Sequence, residues 1–259
     1  MTSGAPARLY LVPAPLDFGC AESTPLAESL PDATLRTAAS LRHWICENAK
    51  SLRAYLQRIH ALHPLACPLR EMRIVELPRA VHKKGDHGGG FDARPLLKEL
   101  LADNPPPSAI GLASEAGMPA VADPGSSVVR GAHDLGMGVT PLAGPVSLML
   151  ALAASGLSGQ HFSFVGYLPQ DAAARARRVQ ELESLALRTG QAQLCIETPY
   201  RNTALLQSLL ATLSPRTRLS VSAGLGLPSA RTRSATVTQW RQGGWAPDNQ
   251  TPAVFLFGP

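Results

Sequence analysis

The first half of the chain alternates short runs of β-branched and apolar residues with longer runs of helical periodicity. The short runs predict strands at residues 9–12, 44–46, 72–77, 109–113 and 138–140. The longer runs predict helices at residues 32–41, 49–60, 92–102, 126–135 and 145–154. Strands that alternate with helices form βαβ units, so this half predicts a mostly parallel sheet.

The second half, which opens with the sequence HFSFVGYLP, keeps this alternation and then ends on strands. Strands are predicted at residues 192–197, 218–222, 235–240 and 253–258, and helices at residues 172–187 and 202–213. A hairpin-like pair of closing strands after two βα units indicates a mixed sheet. We therefore predict an α/β protein of two α/β domains, residues 1–157 and 158–259, that share a cleft.

Residues 135–170 contain no Asp, Glu, Lys or Arg, which invites a transmembrane interpretation. Pro141, Gly144 and Pro145 interrupt the stretch, however, and the apolar run that remains, residues 147–157, is eleven residues long. A helix that crosses a bilayer needs about 20 residues. We expect a buried helix here and no membrane segment.

The charged residues are unevenly distributed. The 259 residues include 24 Lys and Arg and 19 Asp and Glu, a net charge of +5. Residues 36–84 carry a net +7 and residues 171–241 a net +6, whereas the remaining segments are acidic. Such basic zones could attract a phosphate backbone. The alternative, which the sequence leaves equally open, is that Ala-rich helices carry Arg on their solvated faces.

Several kinds of site are disfavoured. The first strand is not followed by G-x-G-x-x-G, and no P-loop motif occurs, which argues against nicotinamide and P-loop nucleotide sites. The four cysteines stand far apart, as packing thiols of a reducing compartment do, and the short apolar run at the N-terminus does not fit a secretory signal, so we expect a cytoplasmic protein. His60 and His63 are more typical of a helix surface than of a metal pair, and no metal is expected. The glycine-rich patch GDHGGG, residues 85–90, could cradle a phosphate with Lys83 and Lys84, although a mobile loop is favoured.

The most informative stretch is residues 111–157. A buried strand ends at Ala113, a polar turn follows, and Asp123 and Pro124 are expected to be the N-cap and first residue of the next helix. The next strand ends at Leu142, where the sequence turns sharply into another helix. α/β folds bind ligands where the carboxyl ends of strands meet the amino ends of helices. The free backbone N–H groups at these helix ends can bind an anion such as a carboxylate.

These residues resemble the tetrapyrrole methylase superfamily of S-adenosylmethionine-dependent methyltransferases, whose members carry DAG-x-P, DPG and PGP-like motifs in this order. Within it, the chain looks most similar to the methyltransferase I subfamily, which methylates a cytidine ribose 2′-hydroxyl in 16S rRNA. LYLVPAPL (residues 9–16), ICENAKSLRAYL (45–56), FSFVGYLP (162–169) and CIETPYRNTALL (195–206) resemble further motifs of that subfamily. The resemblance spans most of the chain.

The resemblance implies a two-domain α/β protein, usually a homodimer, with S-adenosylmethionine in the cleft between the domains. The residues expected to contact the cofactor lie at strand ends in both halves: Val12, Pro13, Ser114, Glu115, Ala116, Gly117, Met118, Ala143, Gly144, Pro145, Val146, Ser147, Tyr167, Leu168, Glu197, Thr198, Pro199, Ala223, Thr251, Pro252 and Ala253. Many of these contacts are backbone contacts in the family.

The chain departs from the family pattern mainly in loops on the substrate side. Where the subfamily has AEDTR, this chain has CENAK at residues 46–50, and where the subfamily has YESPHR, it has IETPYR at residues 196–201. The aspartate of the DAG motif is replaced by Glu115. The opening loop, residues 17–25, and the segment 222–232 also lose family residues. The turns expected to hold the cofactor persist, which favours an unchanged cofactor and an altered methyl acceptor.

Methyl transfer to a ribose hydroxyl needs a positioned base. The candidates near the predicted cleft are the carboxyls of Glu47, Glu115, Asp123 and Glu197. Glu47 and Glu115 are chosen, because Asp123 fits better as a helix cap and Glu197 could instead serve the domain interface. Lys50 and Arg201 could bind phosphates.

Three functions remain open. The favoured one is an S-adenosylmethionine-dependent methyltransferase of rRNA with the small ribosomal subunit as partner. The alternatives are a methyltransferase of a tetrapyrrole or other small molecule, and a catalytically weakened cofactor-binding or ribosome-associated protein.

Overall fold

The computed structural model describes residues 7–78, 81, 86 and 90–259, which form two compact units. Within those limits the first unit comprises residues 7–18 and 24–146, and the second comprises residues 19–23 and 147–259. The helix predicted at residues 145–154 therefore groups with the second unit. The domain boundary at residue 157 stays a prediction.

The first unit is built from five strands and five helices among the described residues. The strands are β1 (Arg8–Leu11), β2 (His43–Cys46), β3 (Arg73–Glu76), β4 (Ala109–Ala113) and β5 (Gly138–Pro141). The helices are α1 (Leu26–Ser29), α2 (Asp32–Ser40), α3 (Ala49–His60), α4 (Arg94–Leu101) and α5 (Ser126–Asp134).

These strands form one parallel sheet in the order β3-β2-β4-β1-β5, which confirms the sequence prediction. Both faces are covered, as a parallel sheet requires. Trp44 lies in an apolar cluster with residues of α2 and α3, whereas its neighbour Ile45 lies in a second cluster with residues of α4 and α5. Successive residues of β2 thus supply two different cores, because side chains alternate along a strand.

The second unit contains β6 (Phe162–Tyr167), β7 (Ala192–Ile196), β8 (Arg218–Ala223), β9 (Arg231–Thr236) and β10 (Ala253–Gly258). Its helices are α6 (Ser147–Ser155), α7 (Ala172–Thr189), α8 (Asn202–Thr212) and α9 (Val237–Arg241). The strand order is β6-β7-β10-β8-β9; β6 and β7 are parallel, and β10 is antiparallel to both of its neighbours. The predicted mixed sheet is confirmed, with β10 buried along its whole length at the centre.

The strand predicted at residues 235–240 is wrong. β9 ends at Thr236, and residues 237–241 are helical. Thr236 and Gln239 form a capping box, in which the Thr236 hydroxyl accepts from the Gln239 N–H and the Gln239 side chain accepts from the Thr236 N–H. The apolar residues Val237 and Trp240 are three apart and face the core as one side of a helical turn, a pattern too short to distinguish from a strand by periodicity.

Cys46, Cys67 and Cys195 are buried, in keeping with the packing role expected of them, and no disulfide joins cysteines of the described residues. Burial, followed by the nearby charge of Glu197, raises the pKa of Cys195 to about 12, so this thiol stays protonated. Among the described residues, no helix combines the length and apolar composition needed to cross a membrane.

Candidate functional site

The loops that leave β1, β4 and β5 are joined at the carboxyl edge of the first sheet. Ala14, after β1, exchanges two backbone hydrogen bonds with Gly117, after β4, at 2.9 and 3.0 Å. The Pro13 carbonyl accepts from the Tyr55 hydroxyl at 2.8 Å, and the Ala143 carbonyl accepts from the Thr34 hydroxyl at 2.7 Å. The edge is therefore held by contacts within the unit.

Gly144 is required by the packing of this edge. A Cβ at this position would lie 2.3 Å from Pro13 Cγ and 2.6 Å from Pro13 Cβ, closer than carbon atoms approach in folded proteins. The glycine thus lets the loop after β5 lie directly against the loop after β1.

The structure divides the predicted cofactor residues of the first unit into two groups. In the first group, the residues already take part in contacts within the unit. Val12 is fully buried, and the backbone of Gly117 is hydrogen-bonded to Ala14. In the second, the residues are partly or largely exposed at the edge: Glu115, Ala116, Met118, Ala143, Pro145 and Val146.

Ser114 is the residue of this edge whose side chain lacks a partner. It follows β4 directly and is 8% exposed, and its Oγ is buried without a hydrogen bond to any described residue. A buried hydroxyl left unpaired costs about 1–3 kcal/mol. This cost is removed when a bound group supplies the missing partner.

Three carboxyl groups lie together at this edge. Glu47 follows β2, and its Oε2 accepts from the Glu115 N–H at 3.4 Å. Glu115 in turn accepts from the Ser51 hydroxyl at 2.8 Å. Burial raises the pKa of the third carboxyl, Asp123, to about 7, and the charges of Glu47 and Glu115 add to the shift. Both candidate bases from the sequence are therefore brought together, and a third acid joins them.

Asp123 does not cap the following helix, contrary to the prediction. The N-cap of α5 is Gly125, and Pro124 precedes the cap instead of occupying the first helical position. The capping donors are satisfied by Asp86, whose carboxylate accepts from the backbone of Gly125 and Ser127 at 2.9 and 2.8 Å. Asp123 is thereby left available for chemistry.

Asp86 is bound tightly in this role. Its carboxylate also accepts from the hydroxyls of Ser126 and Ser127, at 2.7 and 2.5 Å, and its carbonyl accepts from Arg130. Burial would raise the pKa of Asp86, but the hydrogen bonds from Ser127, Ser126 and Gly125 hold it below its ordinary value. Asp86 lies 39 residues before its first partner. The sequence offered no local signal for this cap. The phosphate cradle considered for the GDHGGG patch lies largely outside the described residues, which omit residues 85 and 87–89 of the patch as well as Lys83 and Lys84.

The turn that presents Asp123 has a strained backbone. Ala120 and Ala122 adopt φ values of +65° and +63°, in the left-handed region that side chains disfavour. Strain of this kind is concentrated at functional sites.

The predicted phosphate-binding residues differ in their surroundings. Lys50 is exposed at the start of α3, where Asn48 is the N-cap and accepts from the Lys50 and Ser51 N–H groups at 2.9 and 3.2 Å. Arg201 instead forms an ion pair with Glu197 at 3.3 Å. The charge of Arg201 is therefore partly balanced within the second unit, whereas that of Lys50 faces solvent.

The predicted cofactor residues of the second unit share one edge of its sheet. Ala223 at the end of β8 pairs with Ala253 at the start of β10, and Tyr167 at the end of β6 pairs with Ile196 of β7. The segment before β10 is held by buried Asn202, whose Nδ2 donates to the carbonyls of Asp248 and Thr251 at 2.9 and 2.8 Å. The remaining predicted residues adjoin these positions or begin α6: Ser147, Leu168, Glu197, Thr198, Pro199, Thr251 and Pro252.

The two histidines considered as a metal pair have other partners. His63 contacts Asp32 at 2.7 Å, and Nδ1 of His60 accepts from the Leu65 N–H at 3.4 Å. In the part of the chain that the structure describes, no group of three or more acidic, histidine or cysteine side chains is arranged to hold a metal ion.

Related proteins carry names that agree with the motifs. The chain is 35% identical over 130 residues to ribosomal RNA small subunit methyltransferase I of Vibrio cholerae, a match that covers 49% of this chain and 42% of that protein. The protein of the same name from Pseudomonas aeruginosa is 36% identical over 138 residues, 52% of this chain and 43% of that protein. The one from Mesorhizobium japonicum is 32% identical over 166 residues, 63% of this chain and 49% of that protein. The chain thus spans about half the length of the curated relatives it matches. No protein-family model matches it.

Solved structures share the fold. Uroporphyrin-III C-methyltransferase from Thermus thermophilus matches 97% of this chain with a TM-score of 0.51 and 19% identity, and 94% of that chain is covered. A structure of the enzyme in complex with S-adenosylhomocysteine matches with a TM-score of 0.50 and 18% identity, covering 97% of this chain and 92% of that chain. The resemblance inferred from the motifs is thereby confirmed at this level: the chain is related over about half of its length to the ribosomal RNA small subunit methyltransferase I proteins and has the fold of uroporphyrin-III C-methyltransferase.

Proposed function

We propose that this protein is an S-adenosylmethionine-dependent methyltransferase that acts on ribosomal RNA in the cytoplasm, through a hydroxyl acceptor of the ribose 2′ type. The observation that carries the proposal is the carboxyl edge of the first sheet, where the buried Ser114 hydroxyl has no partner among the described residues. Its neighbour in the chain, Glu115, interacts there with Glu47 and Asp123. The sequence relatives named as rRNA methyltransferases support the choice of substrate.

The residues of this edge fit the cofactor. Ser114 offers a buried hydroxyl that can donate or accept a hydrogen bond, and the half-buried loop residues Glu115, Ala116, Met118 and Pro145 can surround a small polar molecule. S-Adenosylmethionine, when bound, supplies an electrophilic methyl group on a sulfonium.

The protein's own contribution is to position the acceptor and to take up its proton. When a hydroxyl oxygen bonds to the methyl carbon, the carbon–sulfur bond breaks and the hydroxyl proton must leave. Asp123 is the proposed acceptor of that proton, because a carboxyl with a pKa of about 7 is present in both protonation states near neutral pH. Burial keeps the pKa of Asp123 high, and the charges of Glu47 and Glu115 add to this.

We also propose a homodimer, supported by the apolar exposed side of α6. This helix carries no charged residue, and Met149 and Leu150 are 41% and 43% exposed. Apolar side chains grouped on an uncharged helix are typical of an interface with another protein. A second copy of the chain fits because an uncharged face meets its own copy without charge repulsion.

The test is transfer of labelled methyl groups to purified small ribosomal subunits that lack the modification, with large subunits and a small-molecule extract as parallel acceptors. We expect the label in the RNA of the small subunit, and we expect a ribonuclease that digests only the RNA to remove it. If only small molecules are labelled, the acceptor is a small molecule and the proposed rRNA substrate is wrong. If a sample binds S-adenosylmethionine but transfers no methyl group to any acceptor, the proposal of an enzyme is contradicted.

A further inference from the structure

A cavity of about 460 Å³ opens on the second unit. It lies between α8, α9 and the turn at residues 243–246. Thr236, which precedes α9, pairs with Arg218 at the start of β8, whereas the predicted cofactor residue Ala223 ends β8. Arg233, which lines the cavity, pairs with Val221 within β8, so the cavity begins between the two edges of the sheet and extends towards the edge away from Ala223. None of its lining residues is a predicted cofactor residue.

Arg233 forms one wall of the cavity and is held rigidly. Its guanidinium lies 4.0 Å from the centre of the Trp240 ring, and Nη2 donates to the carbonyls of Gln239 and Gly243 at 3.0 and 2.7 Å. A Cβ at Gly244 would lie 3.0 Å from Arg233 Nη1, so a residue without a side chain lets the turn close over the guanidinium. The charge is thus fixed in one orientation.

Arg241 supplies a second fixed guanidinium. Its Nε donates to the Leu210 carbonyl at 3.0 Å, and Nη2 donates to the carbonyls of Leu210 and Leu213 at the end of α8. Carbonyl partners hold an arginine in place but leave its formal charge unbalanced, apart from the partial negative charge at the helix end.

The two arginines keep both unbalanced charge and unused donors. No acidic residue lines the cavity, and within the described ranges neither arginine forms an ion pair. Arg233 Nε and Arg241 Nη1 donate to no described residue. The other lining residues, including Leu206, Leu210 and Ala211, are mainly apolar.

We propose that this cavity binds the phosphate group of a nucleotide, either free or within an RNA strand. Two guanidiniums with free N–H groups match the charge and the several acceptor oxygens of a phosphate, and guanidiniums bind phosphate well. The apolar wall from α8 provides a surface for the attached sugar and base. Cavities that hold small ligands typically measure about 300–1,000 Å³, so the volume is adequate.

The test adds a negative charge to the wall of the cavity and leaves both arginines in place. Ala211→Glu places a carboxylate on the exposed side of α8, and Ala211→Gln is the matched neutral control. Binding of inorganic phosphate, cytidine monophosphate and a short single-stranded RNA is measured by titration calorimetry on the full-length protein, together with S-adenosylmethionine as an independent check of the folded state.

We expect saturable binding of the phosphate ligands by the wild type, with an affinity about tenfold or more lower in Ala211→Glu and nearly unchanged in Ala211→Gln. If the mononucleotide binds in this way, the ligand is a free nucleotide; if only the RNA does, it is a backbone phosphate. Equal affinities of the Glu and Gln variants for every phosphate ligand, or no saturable binding by the wild type, would overturn the proposal. The residues expected to hold S-adenosylmethionine share no member with the cavity, so its binding should be unaffected and failure here is distinguishable from failure of the proposed methyltransferase function.

Discussion

At the scale of single residues, two aspartates exchange the roles that their sequence positions suggest. Asp123 has the local sequence of a helix cap, yet Asp86 accepts the capping hydrogen bonds from a distant part of the chain. A charge-assisted cap of this kind contributes about 1–2 kcal/mol. The consequence is that Asp123 lies near the charges of Glu47 and Glu115 instead of capping α5.

This arrangement predicts a pH dependence for Asp123. Its folded-state pKa is raised to about 7, above the value in the unfolded chain, so its ionisation destabilises the folded state as the pH rises from about 4 to 7. Asp123→Asn should therefore raise the free energy of unfolding relative to wild type by roughly 1–3 kcal/mol more at pH 8 than at pH 5. Urea unfolding at the two pH values measures this.

Asp86→Asn is the control with the opposite sign. The pKa of Asp86 is lowered in the folded state, so its contribution is present above the ordinary carboxyl range and lost as the pH falls through the lowered value. Asp86→Asn should have a lower free energy of unfolding than wild type at pH 8, and this difference should become smaller in acid. A pH-independent difference between Asp123→Asn and wild type would show that Asp123 titrates normally.

At the scale of elements, the carboxyl edge depends on close packing between loops. Gly144→Ala should push the loop after β5 away from Pro13 and weaken S-adenosylmethionine binding, because the added Cβ would overlap Pro13. Gly159→Ala is the matched control, since a Cβ there meets no atom within 4 Å. The measurement is the shift in melting temperature on adding cofactor. An unchanged shift in Gly144→Ala would mean that the cofactor does not use this edge.

Most elements could be predicted because their apolar periodicity is long enough to be unambiguous. The parallel sheet followed from strands that alternate with helices, and the strand-end turns followed from Gly and Pro. The α9 turn could not be predicted, because Val237 and Trp240 fit both periods over five residues. The Asp86 cap could not be predicted either, since its partners are brought close only by the tertiary fold. The carboxyl cluster was predicted in part: Glu47 and Glu115 were named, whereas the place of Asp123 depended on Asp86.

At the scale of the whole molecule, the basic residues of the second unit are partly organised around one cavity. Arg233 and Arg241 account for two of the charges in the basic zone at residues 171–241. That zone was open to two interpretations, and several of its other arginines contact groups of their own helix or loop, as Arg178 does with Glu181. The contact of Arg178 with Glu181 fits the interpretation of solvated helix faces, whereas phosphate binding stays a proposal for the cavity residues.

The proposed homodimer gives a prediction at this scale. Leu150→Glu adds a charge to the apolar side of α6 and should convert the protein to a monomer, because burying an unpaired carboxylate in an interface is costly. Leu187→Glu is the control, since Leu187 is 52% exposed on α7. Light scattering after size-exclusion chromatography gives the mass. A wild-type monomer, or a Leu150→Glu dimer, would contradict the assignment of this surface.

The central claim is that the carboxyl edge of the first sheet holds the methyl donor, and calorimetric titration of S-adenosylmethionine into wild type and Ser114→Ala tests it most directly. We expect saturable one-to-one binding by the wild type, and binding weakened by about 1–3 kcal/mol in Ser114→Ala, because the buried hydroxyl gains its hydrogen-bond partner from the ligand. Absence of binding by a folded wild type, or equal affinity of the two proteins, would contradict it.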